Sequence, residues 1–297
     1  MRNRSIEVTS TLLRRSADAP ALSLVARLVR THDRDRYQTA LFAPAAAREA
    51  LFALYAFNYE IARVRESVRE PMLGQIRLQW WREAIDAAYA GAAPRRHEVV
   101  GPLTAAIRGL GLGREHFARL IDARERDLDD AAPATLAALE GYAEGTSAPL
   151  IRLALEVLGA VTPQTLGAAA PIGIAYALTG LIRAMPLFAR TGRWVIPDDI
   201  AAEAGLDPGD YPALRATPAL RRAVASVARR AAYHLDAARA RQAGLPRAAL
   251  PALLPARITA GALKRLERAG FDPFARAVAT DPLQSWRLTL AMLRGKF

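Results

Sequence analysis

A chain of 297 residues that is 52% apolar can bury a sizeable core, in one large domain or two small ones, which excludes disorder of the whole chain. Its formal charge is 41 − 29 = +12 and lysine occurs only at Lys264 and Lys296, so arginine carries nearly all of the excess. Cysteine is absent, which removes disulfides, thiolate metal sites and cysteine nucleophiles together.

An arginine excess of this size attracts nucleic acid, anionic lipid or a diphosphate, and a base-composition bias toward Arg and Ala accounts for it without any ligand. No short basic run with interleaved aromatics marks a nucleic-acid patch, so no nucleic-acid partner is expected. His32, His97, His116 and His234 are scattered without metal-ligand spacing. Few aromatics beside abundant Ala, Leu and Arg favour helices, because these side chains lose little rotamer freedom there. The expected class is all-α. No uninterrupted apolar run of about 18 residues predicts a membrane span. Residues 1–20 read as a flexible arm: MRNRSIEVTSTLLRR lacks the apolar segment of a secretory signal, while its Arg, Ser and Thr with the single acid Glu7 leave an organelle transit segment open. Residues 21–297 are expected to form one domain.

In chain order, ALSLVARLV over 21–29 predicts a short helix, and the polar THDRDRY breaks it. Pro44 opens the next helix in its first turn, where a missing N–H costs nothing. Over 51–66, LFALYAFNYEIARVRE places Leu51, Leu54, Tyr55, Phe57, Ile61 and Val64 on one helical face, which predicts a buried helix ended by Pro71. Residues 73–89 form the following helix. Its adjacent Trp80 and Trp81 point about 100° apart, so one packs in the core and the other against a neighbouring helix or a pocket mouth.

GLGLG at 109–113 has no preceding strand and is a loop. Residues 114–130 are amphipathic, with Phe117, Leu120, Ile121 and Leu128 on one side, and their string RERDLDD interleaves acids with Arg124 and Arg126, which reads as a solvated, salt-bridged face. Within 135–158, GYAEGTSAPL supplies small residues where another helix or a ligand can approach closely. A second long helix over 163–189 contains Pro186, which should kink or end it. Asp198 and Asp199 after Pro197 mark a helix N-terminus. An Arg-rich amphipathic helix over 218–241, short proline-capped helices and a last helix ending near 293 complete the chain.

ALFALYAF, RLQWWREAI, ARERDLDD, ALTGLIRAMPLFARTGRWVIP and LPALLPARI together resemble, in order and spacing, squalene and phytoene synthases over about residues 35–295. The resemblance implies an isoprenoid-synthase-like helical bundle with a central cavity, in which two acidic helices face each other and hold Mg²⁺ against a diphosphate leaving group. Hard Mg²⁺ requires oxygen ligands to neutralise that leaving group. Laid onto this chain, the first acidic pair falls at Ala62 and Glu66 and the second at Ala184 and Phe188, so one slot of four keeps a carboxylate. Glu60, Asp198 and Asp199 lie where they do not restore a facing pair. Arg183 and Arg193 survive beside the slots as candidates for binding an anion, or as members of structural ion pairs. Tyr55 is a cavity candidate whose simpler reading is a core residue with a satisfied hydroxyl.

FNYEIARVRE followed by IRLQWWREAID is most similar to the degenerate branch of this family that includes a mitochondrial assembly factor for respiratory complex I and its bacterial relatives. That similarity implies binding or assembly without catalysis and without a cofactor, in the cytoplasm or at the inner face of a membrane. A complex I assembly client, an anionic lipid or a prenyl-like ligand is the implied partner. Two alternatives stay open: an active prenyltransferase with a reduced Mg²⁺ site, and a membrane-peripheral scaffold that uses the arginines of 221–241.

Overall fold

The computed structural model describes residues 22–129, 131–207, 209–279 and 285–297. The expected N-terminal arm lies outside them. Among the described residues there are helices and no strand. The first is α1, Leu24–His32, capped by Ser23, whose hydroxyl accepts from the Ala26 N–H at 3.1 Å. THDRDRY was expected to be a break, but it forms a second helix, α2, Arg34–Ala40. Asp33 makes this happen by ending α1 and capping α2, its carboxylate accepting from the Arg36 N–H at 3.2 Å.

Helix α3, Ala45–Ala62, starts directly after Pro44, and Leu51, Leu54, Phe57 and Ile61 are buried as the periodicity requires. The expected single helix over 51–66 is interrupted at Arg63, and α4, Val64–Ser67, restarts as a short turn. The restart keeps Val64 in the core, and the Ser67 hydroxyl closes the turn on the Val64 carbonyl at 2.8 Å. Pro71 is the first residue of α5, Pro71–Tyr89, and holds Glu70 extended, since a residue before proline avoids helical torsions. Trp81 is buried and Trp80 is not, as expected for neighbours on a helix.

Helices α6, Val100–Leu110, and α7, Arg114–Glu125, follow, and α7 tightens into a 3₁₀ turn at Arg126–Leu128 rather than continuing to 130. Phe57 links these layers by edge-on contact with Trp81 at 5.3 Å and Phe117 at 5.5 Å.

The centre is an antiparallel pair, α8, Leu136–Val157, and α9, Pro163–Arg190. A Cβ added at Gly173 on α9 would lie 2.7 Å from the Ala148 backbone nitrogen, so the small residues of GYAEGTSAPL do allow a helix to approach closely. Of the two outcomes expected for Pro186, a kink or an end, it does not end α9, which runs on to Arg190. Leu178, Ile182, Met185 and Ala189 form one buried stripe, and packing of that stripe holds the last turn despite the lost N–H. Among the described residues α9 is the one helix long and apolar enough to cross a membrane, yet 56% of its most apolar window is buried inside the bundle.

The remaining helices are α10, Asp198–Ala204; α11, Pro218–Arg239; α12, Leu250–Leu253; α13, Pro255–Arg268; α14, Arg276–Ala279; and α15, Ser285–Arg294. One apolar core joins α1, α3, α5, α6 and α7 to α8 and the start of α9, and a second surrounds the far half of α9 with α10 and α11.

The Gly173 contact predicts that Gly173→Ala destabilises the fold by about 1–3 kcal/mol in urea denaturation. Gly180→Ala, where an added Cβ meets nothing within 4 Å, should be neutral or stabilising by up to about 1 kcal/mol.

Candidate active-site cleft

The ends of α3, α7 and α9 and the start of α8 meet at one end of the bundle. Glu66 on α4 and Phe188 on the last turn of α9 line one cleft of about 280 Å³, together with Arg65, Asp127, Asp129 and Arg193. Two of the four slot positions are thus brought together. Ala62 and Ala184 are half-buried on α3 and α9 and are not among its lining residues.

The cleft is organised by a carboxylate that pattern reading placed on a solvated face. Asp127 is 4% exposed, because the 3₁₀ turn after α7 rotates it inward. Tyr142 donates to its Oδ1 at 2.8 Å and Arg193 to the same oxygen at 2.6 Å, while Arg124 donates to Oδ2 at 3.1 Å. The Arg193 guanidinium also lies 4.9 Å from the centre of the Phe188 ring. Burial opposes the charge on Arg124 and on Arg193, but Tyr142 and Asp127 together outweigh it for both and hold their pKa values above the ordinary one. Burial likewise pushes Tyr142 up to about 12, so its phenol remains a donor at neutral pH.

A second cavity of about 340 Å³ lies on the other side of this ion pair, walled by Tyr142, Leu139, Leu181, Trp194 and Val195. Asp127, Asp129 and Arg193 line both spaces and so form the partition between them.

Arg183 and Tyr55 belong to a second polar group deeper in the bundle. Arg183 donates to Asp35 at 2.9 Å, and the Tyr176 hydroxyl reaches the same carboxylate oxygen at 3.4 Å. Arg36, which sequence reasoning missed, bonds Asp33 at 2.7 Å and stands 4.7 Å from the Tyr176 ring centre and 5.9 Å from that of Tyr55. Burial pushes the Tyr55 pKa up to about 12 against the pull of Arg36. The signal for Arg36 was present in the run Asp33, Asp35, Arg36, but its burial depends on α2 being a helix.

The other acids lie apart from the slots. Glu60 pairs with Arg63 at 3.4 Å beside Trp80, Trp81 and His97, and Asp199 accepts from the Leu136 N–H at 3.0 Å, capping α8 from α10.

Of the four slot side chains only Glu66 carries an oxygen ligand. Ala62, Ala184 and Phe188 carry no oxygen ligand, both Asp127 oxygens accept from guanidinium or phenol donors, and Asp129 Oδ1 accepts from the Ala131 N–H at 3.0 Å. Among the described residues no three His, Asp or Glu side chains are grouped to hold a metal ion.

The all-α bundle is that of the squalene and phytoene synthases, and residues 29–294 match the squalene/phytoene synthase family model. The chain belongs to that family. It is 33% identical over 268 residues to NADH dehydrogenase (ubiquinone) complex I, assembly factor 6, of Bos taurus, covering 88% of this chain and 80% of the relative. It is 31% identical over 194 residues to presqualene diphosphate synthase of Sinorhizobium fredii, covering 64% of this chain and 68% of the relative. The crystal structure of squalene synthase HpnC from Alicyclobacillus acidocaldarius superposes with a TM-score of 0.74 at 24% identity, over 84% of this chain and 94% of that one, and shows the shared fold.

Removing the carboxylate at 127 strands two inward guanidiniums. Asp127→Ala should therefore lower stability by about 3–5 kcal/mol in chemical denaturation, and adding Arg193→Met should recover part of that loss.

Proposed function

We propose that this protein is a non-catalytic member of the squalene/phytoene synthase family that acts in the assembly of respiratory complex I. The observation that carries the non-catalytic half is the Phe188 ring, which lines the same cleft as Glu66. Ala62, Ala184 and Phe188 offer no oxygen at three of the four slots where the resemblance implies carboxylates for Mg²⁺, which supports the reading that the chain does not hold the metal against a departing diphosphate. The similarity to complex I assembly factor 6 over 88% of this chain supports the assembly half.

The place of action proposed with it is the cytoplasm or the inner face of the membrane, with no cofactor. Arg183 and Arg193 are proposed as structural cations that position the cleft, since each is bound to a carboxylate of the chain, Asp35 and Asp127. The Arg-rich helix is the weaker basis for a scaffold. On α11, Arg221 donates to Ala269 and Gly270 carbonyls and to Asp272, Arg222 to the Ala204 carbonyl, and Arg230 to Glu140.

The similarity to presqualene diphosphate synthase favours a second reading, prenyl coupling by a reduced site. The two separate cleanly. The purified chain given prenyl diphosphates with Mg²⁺ or Mn²⁺ is expected to release no diphosphate, and release above the background of an Asp127→Asn variant overturns the non-catalytic half. Deletion of the gene is expected to lower the amount and NADH-oxidising activity of assembled complex I; normal assembly overturns the other half.

A further inference from the structure

The start of α5 carries an exposed apolar edge that its position does not explain. Gly74 and Leu78 face the core, while Met72, Leu73 and Ile76 are 66%, 48% and 58% exposed. A surface helix usually turns polar residues outward, so three large apolar side chains within five residues are unexpected there. The edge runs on to the half-buried Trp80, one turn beyond Ile76. Val68, just before α5, shares the Glu66 and Phe188 cleft with Leu187, itself 51% exposed on α9.

The surrounding charge is mostly positive. Arg65, Arg69, Arg77 and Arg190 outnumber Glu66, Glu70 and Asp129 along this rim, while Glu60 and Arg63 pair with each other. Arg69 and Arg190 are exposed and make no ion pair or side-chain hydrogen bond among the described residues.

We infer that this edge, Met72, Leu73 and Ile76 with their rim of arginines, is the face by which the protein sits on an anionic bilayer. Long apolar side chains enter the interface between headgroups and acyl chains, and the arginines lie at headgroup level with their stems along the apolar surface. Met72 and Leu73 project from an exposed helix start and line none of the clefts described, which suits a deformable lipid surface better than a protein segment of fixed shape. Ile76 and Trp80 also line a cleft of about 280 Å³ with Arg63 and Arg77, which adjoins the edge. The inference assigns a contact face, and it stands whether or not the chain acts on complex I.

The absence of cysteine makes the test specific, because one introduced thiol can be labelled alone. Full-length Ile76→Cys carrying an environment-sensitive fluorophore should brighten and shift to the blue on vesicles that are about one-third phosphatidylglycerol, more at low than at high salt. Leu110→Cys, at an exposed position on α6 far from this end, should not respond. In sedimentation with the same vesicles, the triple variant Met72→Ser, Leu73→Ser, Ile76→Ser should lose about tenfold or more in binding with an unchanged melting temperature. Wild-type protein that ignores anionic vesicles at low salt, a triple variant that binds within about twofold of wild type, or an equal response at Leu110→Cys overturns the assignment. A triple variant that keeps vesicle binding but no longer co-purifies with complex I subunits also overturns it, and gives the face to a protein partner.

Discussion

The buried carboxylate of Asp127 is the constraint on which the candidate site depends. An ionised side chain withdrawn from water must have its charge matched and its lone pairs filled, or it neutralises itself by taking up a proton. Arg124, Tyr142 and Arg193 meet that demand from three different elements: the end of α7, the first turns of α8 and the loop after α9. Their convergence holds the helix ends in register. It also fixes Arg193 over Phe188 and separates the two cavities that share this wall.

Deeper in the bundle the same rule operates on Asp33 and Asp35, which are matched by Arg36 and Arg183 and roofed by Tyr55 and Tyr176. Arg36 is close enough for its charge to oppose that of Arg124, so the two groups form one polar seam through an otherwise apolar interior. Such a seam adds little net stability over apolar packing of the same shape, because both charges of each pair must be desolvated. Its geometric demands are strict, however, and they tie α2, α3, α7, α8 and α9 to one arrangement.

Several residues show how far pattern reading reaches. Leu51, Leu54, Phe57 and Ile61 were placed in the core by helical spacing alone, and they are there. Spacing could not show that α3 stops at Ala62, since Arg63 and Arg65 have good helix propensity. Asp127 stood in a charged string whose surface reading was reasonable, because nothing local distinguishes a carboxylate facing water from one facing Arg193, 66 positions away. The same holds for Pro186, where a local helix breaker was overruled by the buried stripe around it.

The sequence by itself determined the helical class, the order of most helices, the family and the identity of the side chains at positions 62, 66, 184 and 188. These follow from composition, periodicity and a colinear match, all of which are properties of neighbours along the chain. Only the tertiary structure decided that Asp127 lies inside, that Arg36 and Arg193 occupy the polar seam, and that Met72, Leu73 and Ile76 remain outside. The energy of a charged or apolar side chain depends on what is opposite it in space, and that partner can lie anywhere in the chain.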